Sequence, residues 1–233
     1  MYTPAPTAPA SPYGWVIPPA TTEGEAPGPD LTVFLLAHRV FRREFARLAV
    51  AAEAITAERD APLTDAIEEQ IAMMARSLHK HHTSEDEEIW PVIRKHDPAS
   101  AIVLDALEQE HTKIDPLITM ATDRSVPLRH RAVVLDELSD LLNRHLDREE
   151  AEGVPLILRH FTKAGWEADG KAHTRKMRKD LPAFVCTMID HMSEDEVAEL
   201  MRTGPKLLVV LYKLSWRRRW AQLRPQIYGR ERS

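Results

Sequence analysis

Two sixteen-residue segments, which start 64 positions apart, share one pattern of histidine, glutamate and proline. The segment at 81–96 reads HHTSEDEEIWPVIRKH and the segment at 145–160 reads HLDREEAEGVPLILRH, with six identical positions. A histidine and a glutamate four residues apart lie on one face of an α-helix, one turn apart. His81 with Glu85, and His145 with Glu149, can therefore bind the same ion or ion pair. The pattern favours two helices that face a common centre.

Apolar residues at three- and four-residue steps predict four long helices. The predicted helices cover 31–58, Thr64 to about Lys95, 99–121, and about Leu128 to His160. We expect Asp30 to cap the first helix and Pro116 to kink the third. Long helices with short connections favour an up-down-up-down four-helix bundle. We therefore predict an all-α fold with this bundle at 30–163.

The two ends of the chain differ from this central part in composition. Residues 1–29 are rich in proline, alanine and threonine, which predicts a disordered leader. Residues 164–233 predict a basic helical extension, with 14 Lys and Arg against 9 Asp and Glu and a capping box that begins at Ser193. The segment 204–228 could lie on an anionic membrane surface or pack on the bundle or a second subunit. Packing is favoured because LLVVLY is apolar nearly all round.

Composition excludes several classes of protein. The apolar run at 207–212 has six residues, whereas a membrane-spanning helix needs about 20. A single cysteine, Cys186, excludes an internal disulfide, and the start of the chain lacks the features of a secretory signal, so a cytoplasmic location is expected. Before residue 164 the chain has 17 Lys and Arg against 27 Asp and Glu, which argues against nucleic acid as a partner.

Two more histidines, His38 and His111, lie on the apolar faces of the first and third predicted helices. Each alone could be a core histidine held by one hydrogen bond, and each His-Glu pair could be a surface ion pair. Buried together without an ion, they would leave polar groups and charge uncompensated. We therefore predict a metal site, and the mixture of imidazole and carboxylate favours two cations. The predicted ligands are His38, His81, Glu85, His111, His145 and Glu149.

The pattern H...HHxxEDEEIWP...EH...HLxxEE....P, over roughly residues 30 to 163, resembles the haemerythrin-like, HHE cation-binding domain. The resemblance implies a non-haem di-iron centre with those six ligands, in which Glu85 and Glu149 bridge two iron ions together with an oxo or hydroxo group. Oxygen-carrying haemerythrins have one further histidine among their ligands, whereas this sequence pairs His145 with Glu149. An anionic ligand stabilises the ferric state, so we expect oxidant sensing or scavenging rather than oxygen storage.

Two functions are compatible with the sequence. In the first, the iron pair binds or reacts with O2, H2O2 or nitric oxide; a peroxidase, catalase-like or oxidase activity is compatible with the site, as is binding without turnover. In the alternative, the metal is structural and the protein is an iron-responsive regulatory or interaction module. In either case, the C-terminal helices are a possible contact surface for an oligomer. We expect Asp86 and Glu150 to lie on solvated helix faces, and His82, about 100° from His81 around its helix, to point away from the site.

Overall fold

A computed structural model describes residues 28–55 and 61–229, and no strand occurs among them. The first six helices are α1 (Thr32–Glu53), α2 (Ala61–Ser84), α3 (Trp90–His96), α4 (Ala101–Thr122), α5 (Leu128–Arg148) and α6 (Val154–His160). The last five are α7 (Lys163–Lys176), α8 (Leu181–Asp190), α9 (Glu194–Thr203), α10 (Lys206–Leu211) and α11 (Arg217–Tyr228). The all-helical prediction is confirmed for the described part. The predicted leader lies, except for its last two residues, outside the described ranges.

The second and fourth predicted helices are continuous helical rods, each with one widened turn. A π-helical turn, Glu85–Ile89, joins α2 to α3, and a second, Glu149–Gly153, joins α5 to α6. A proline follows each turn after one intervening residue, Pro91 in the first rod and Pro155 in the second. Proline has no N–H to bond the carbonyl four residues earlier, so the regular α-helical ladder is already interrupted there. The repeated sequence thus has a repeated local geometry.

Four rods pack around shared apolar cores. Helix α1 packs along α5 and against α2, and α4 packs against α5 and α2. The larger core cluster includes Phe41, Phe45, Ile71, Leu78, Leu138 and Leu142. A second cluster includes Trp90, Ile93, Leu104, Leu107 and Ile157. Each fully buried side chain of this kind stabilises the fold by roughly 1.5–3 kcal/mol relative to its exposed state, which fixes the faces that the rods turn inward.

Two details of the predicted helix ends differ from the structure. Helix α1 begins at Thr32, and the N-cap position is Leu31 rather than Asp30. Asp30 still satisfies a free donor there, because its Oδ1 accepts a hydrogen bond of 3.0 Å from the Thr32 N–H. Helix α4 continues through Pro116 to Thr122 and is preceded by a short 3-10 turn at Pro98–Ser100. The predicted helix began at residue 99, so its start differs from the structure, and the expected kink at Pro116 stays a prediction.

The C-terminal extension is a set of helices that covers one side of the bundle. Helices α8 and α11 pack against α1 and α2, with Trp220 and Ile227 in the larger core cluster. The capping box at the start of α9 is formed by Ser193 and Glu196, as predicted. The segment 206–228 is α10, a π-helical turn (Tyr212–Trp216) and α11, where one helix was expected. None of the described helices has the length and apolar character needed to cross a lipid bilayer.

Candidate metal centre

All six predicted ligands are buried, and the structure brings them together between the rods. Helix α1 contributes His38, α2 contributes His81, α4 contributes His111 and α5 contributes His145. Glu85 and Glu149, the first residues of the two π-helical turns, are both fully buried. Each helix turns its histidine inward because that residue lies on the apolar face that the core buries.

One group of possible ligands consists of His38, His81, Glu85 and Glu149. The Nε2 atoms of His38 and His81 are 3.0 Å apart, and their rings are perpendicular, at 88°. Glu85 Oε1 lies 2.9 Å from His81 Nε2, and Glu149 Oε2 lies 3.6 Å from His38 Nε2. One donor atom from each of the four residues lies within 4.8 Å of the others, the distance range over which ligands of one ion are found.

A second group consists of His82, His111 and His145. The Nε2 atoms of His111 and His145 are 3.2 Å apart, and the ring of His82 stacks on that of His111 with centroids 4.1 Å apart. His82 is buried, and neither of its ring nitrogens has a hydrogen-bond partner. The prediction that His82 points away from the site is therefore wrong. The centre is wide enough that neighbours about 100° apart on α2 face its two halves.

The two glutamates lie between the two groups of histidines. Glu85 reaches from His81 to His111, whose Nε2 is 3.6 Å from Glu85 Oε2. Glu149 Oε2 lies close to both His38 and His145, with a distance of 3.7 Å to the latter's Nε2. All four oxygens of these carboxylates are buried without a hydrogen-bond partner. Native proteins rarely leave such groups unpaired, so the arrangement fits cations held by histidine nitrogen and shared glutamate oxygen.

Three further carboxylates hold the outer nitrogens of the histidine rings. Nδ1 of His38 is 3.0 Å from Glu150 Oε1, Nδ1 of His111 is 2.8 Å from Asp86 Oδ1, and Nδ1 of His145 is 3.0 Å from Glu110 Oε2. With the Nδ1 proton held in this way, each ring directs Nε2 inward, an arrangement common around protein-bound metals. Asp86 and Glu150 were expected only on solvated helix faces, and these contacts correct that expectation. Glu110, the glutamate of the EH pair in the quoted pattern, was assigned no role.

Two arginines in turn hold these outer carboxylates. Arg42 donates to Glu150 Oε1 at 3.1 Å, and Arg148 donates to Glu110 Oε1 at 3.0 Å. Their positive charge offsets part of the negative charge that the five carboxyl groups of this region concentrate. Gly153 also matters at close range, because a Cβ at this position would lie 3.2 Å from Glu149 Cγ and 3.3 Å from Leu107 Cδ1. A larger residue would press on the glutamate.

Burial sets the protonation of the centre. Burial, then repulsion from His81, lowers the pKa of His38 well below its usual value; burial, then repulsion from His111, does the same for His82. Burial also lowers the pKa of His145 to about 4. For His111, burial lowers the pKa, but the hydrogen bond to Asp86 and the attraction of Glu85 and Asp86 together outweigh it, so the pKa is raised. Burial and repulsion from Glu85 raise the pKa of Glu149 well above its usual value. Most of these imidazoles are thus neutral near pH 7, the form that binds metals.

Comparison with known proteins agrees with this geometry. No curated protein and no solved structure is significantly similar to the chain. A family model, the hemerythrin HHE cation binding domain, matches residues 30–157, more than half of the 233 residues and the span that contains both groups of possible ligands. The chain therefore belongs to the hemerythrin HHE cation-binding domain family.

Proposed function

We propose that the seven residues of the two groups hold two iron ions, and that the bound pair reacts with dioxygen, hydrogen peroxide or nitric oxide. The observation that carries the proposal is the position of Glu85 and Glu149, unpartnered and buried between two sets of histidines. A single cation in one group would leave polar atoms of the other uncompensated, whereas two cations satisfy both. Mixed imidazole and carboxylate donors are typical of non-haem iron sites.

The chain's own residues prepare the centre for this chemistry. Bound iron would supply exchangeable coordination positions and electron transfer. Glu150, Asp86 and Glu110 fix the imidazoles with Nε2 inward, so little reorganisation accompanies binding. The ring of Phe34 lies 4.5 Å from that of His38 and 5.0 Å from that of His81. This apolar neighbour limits access of water, which favours small uncharged reactants over larger polar ones.

His82 changes the expectation about oxygen. Oxygen storage was not expected, because Glu149 is an anion at a position where oxygen carriers have a further histidine. The two groups of possible ligands nevertheless contain five histidines, since they include His82. Binding of dioxygen therefore stands beside peroxide and nitric oxide in the proposal. Glu149 remains an anionic donor, and stabilisation of ferric iron still favours oxidant or nitric oxide sensing or detoxification.

Elemental analysis with optical spectroscopy tests the proposal. Full-length protein from iron-supplied cells is expected to contain about two irons per chain, and its near-ultraviolet absorption is expected to change on addition of peroxide or nitric oxide. His82→Ala should lower the iron content toward one per chain, because it removes a donor from the second group. His79→Ala, an exposed position on the same helix, is the matched control and should keep both irons. Protein with about one zinc and no spectral response would reject the proposal.

A regulatory role is a second candidate, which the packing of the extension favours. Helices α8 and α11 contact α1 and α2, and these two helices carry His38 and His81. Loss of metal would loosen the support beneath the extension, and a partner could detect that change. Limited proteolysis of metal-loaded and chelated protein tests this idea. Equal resistance of the extension in both forms would reject it.

We also propose that the four rods alternate in direction. The α2–α3 rod passes from the larger core cluster at Leu78, through Glu85, to the second cluster at Trp90, whereas α4 passes from the second cluster at Leu107, through His111, to the larger one at Ile114. The opposite order in successive rods supports an up-down course, as do the short connections. Distances between spin labels at the ends of α2 and α4 test this proposal. The start of α2 should lie nearer to the end of α4 than to its start.

A further inference from the structure

An apolar cavity of about 290 Å³ lies between the bundle and the C-terminal extension. Its walls come from α1 and α2 on one side and from α7 to α10 on the other, so most of one wall lies outside the span that the family model matches. The lining includes Phe41, Met177, Phe184, Met188 and Leu208. Close-packed protein interiors seldom contain a void much larger than a water molecule. A cavity of this size, with apolar walls, is suited to a ligand.

The cavity reaches the candidate metal centre. His81 and Glu85, from the first group of possible ligands, form part of its wall. Phe34 also lines it, and the ring of Phe34 stands 5.0 Å from that of His81. A molecule in the cavity would therefore contact one half of the centre without disturbing the apolar cores of the bundle.

The polar side chains of the lining indicate what kind of molecule fits. Asp169 and His173, one turn apart on α7, line the cavity together with Ser84, so a hydroxyl group could find both a donor and an acceptor there. Among the described lining residues there is no lysine or arginine, so a carboxylate or phosphate would lack a protein countercharge. The lining favours an uncharged molecule with one O–H group and an apolar body.

We propose that this cavity binds a small, uncharged, mainly apolar organic molecule, such as an alcohol or a hydroperoxide, with its oxygen-bearing end toward His81 and Glu85. The volume is about twice that of an engineered cavity that holds benzene, which sets the size of the ligand. The proposal deepens the proposed function by placing an organic ligand beside the metals. Its binding step depends on the cavity alone and can be measured with or without iron.

Isothermal titration calorimetry of the full-length protein with octan-1-ol and with octanoate tests the proposal. We expect one molecule of octan-1-ol per chain, with a Kd below about 1 mM, and octanoate at least about tenfold weaker in iron-free protein. No binding of the alcohol, or equal binding of the carboxylate, would overturn it. Because iron-free protein is included, failure here is distinguishable from failure to load two irons.

Two pairs of variants separate the cavity from the surface. Val209→Trp fills the cavity from α10, whereas Val210→Trp adds the same bulk at the next position, which is 48% exposed and not in the lining. The first should weaken octan-1-ol binding by at least about tenfold, and the second by less than about twofold. Gly170→Leu repeats the test on α7, at a position that is exposed but also lines the cavity and where an added Cβ meets nothing within 4 Å. Ala168→Leu, also exposed but outside the lining, is its control. Equal losses in a variant and its control would refute the cavity as the site.

Discussion

Among the described residues, the cluster around Glu44 and the candidate metal centre are both buried and polar, and they differ in how their carboxylates are satisfied. Glu44 on α1 is fully buried, and its oxygens accept hydrogen bonds from Gln70, at 2.7 Å, and from Tyr228, and lie 2.8 Å from His191 Nε2. Glu85 and Glu149 are equally buried, yet no hydrogen bond reaches their oxygens. The first cluster is completed by the chain itself, whereas the second requires something from outside it. Complete partnering indicates a structural role, and incomplete partnering indicates a binding site.

The elements that supply the partners differ in the same way. Gln70 comes from α2, while His191 and Tyr228 come from the end of α8 and of α11, so the Glu44 cluster holds the extension onto the bundle. Arg47 adds to it, with its guanidinium carbon 3.5 Å from the centre of the Tyr228 ring. Within the described part of the chain, by contrast, the possible donors of the metal centre come only from the four rods. The two clusters can therefore be perturbed separately.

Metal removal is expected to have the largest effect, and it should act on only one of the clusters. Chelation of the loaded protein should lower its free energy of unfolding by about 4 kcal/mol or more, the value for a ligand at a thousand times its Kd. The physical reason is that, without metal, the oxygens of Glu85 and Glu149 and the ring nitrogens of His82 are buried with no hydrogen-bond partner. Chemical denaturation with and without chelator measures the change. Coincident transitions would contradict the assignment of the centre as a metal site.

Removal of the Glu44 side chain, whose oxygens all have partners, should have the second largest effect on stability. Glu44→Ala is expected to lower the free energy of unfolding by about 3 kcal/mol, because Gln70, His191 and Tyr228 all lose an acceptor. The metal content should stay unchanged. Glu53→Ala, an exposed glutamate on the same helix, is the control and should change stability by less than about 0.5 kcal/mol. Loss of metal in Glu44→Ala would mean that the two clusters are not independent.

Replacement of an outer carboxylate, one that contacts Nδ1 of a histidine, should have a smaller effect. It should change the metal affinity and leave the Glu44 cluster as it is. Glu150→Gln is expected to weaken metal binding by about 10- to 100-fold, because the charge that holds Nδ1 of His38 is lost. A competition titration with a metal-binding indicator measures the affinity. Asp140→Asn, at an exposed position on α5, should leave the affinity as it is. An equal loss in both variants would indicate a general effect of charge.

The smallest expected effect has the opposite sign in the two clusters. In metal-free protein, Glu149→Gln should raise the free energy of unfolding by about 1 kcal/mol. Burial and the nearby Glu85 disfavour the carboxylate form of Glu149 in the folded protein, and an amide avoids that cost. Glu44→Gln should lower stability instead, because an amide replaces an acceptor of several hydrogen bonds. Thermal unfolding of both variants after chelation gives the comparison. If both variants changed the free energy of unfolding in the same direction, the two clusters would not differ in how their carboxylates are satisfied.

Much of the fold was predictable because the four rods follow simple apolar periodicity. The histidines on the apolar faces and the repeated His-Glu spacing also led to six of the seven residues that the centre brings together. His82 was missed because its side chain, about 100° from that of His81 around the helix axis, was expected to point away from the site. The centre is wide enough for both side chains to reach it. Glu110 was missed because its role depends on the distance between α4 and α5, which no local pattern contains. Helix α7 falls within the predicted helical extension, but its bounds were not predicted, because it buries no side chain and so has no apolar stripe.

The widened turns at Glu85–Ile89 and Glu149–Gly153 have a consequence for anyone who would transplant this motif into a designed bundle. One extra residue in a turn rotates everything downstream by roughly 100° about the helix axis. With it, the same rod can aim His81 at the metals and Ile93 at the second core cluster. In a regular α-helix of the same composition, His81 and Ile93 could not both keep these orientations. The surplus residue therefore belongs to the motif as much as the ligands do.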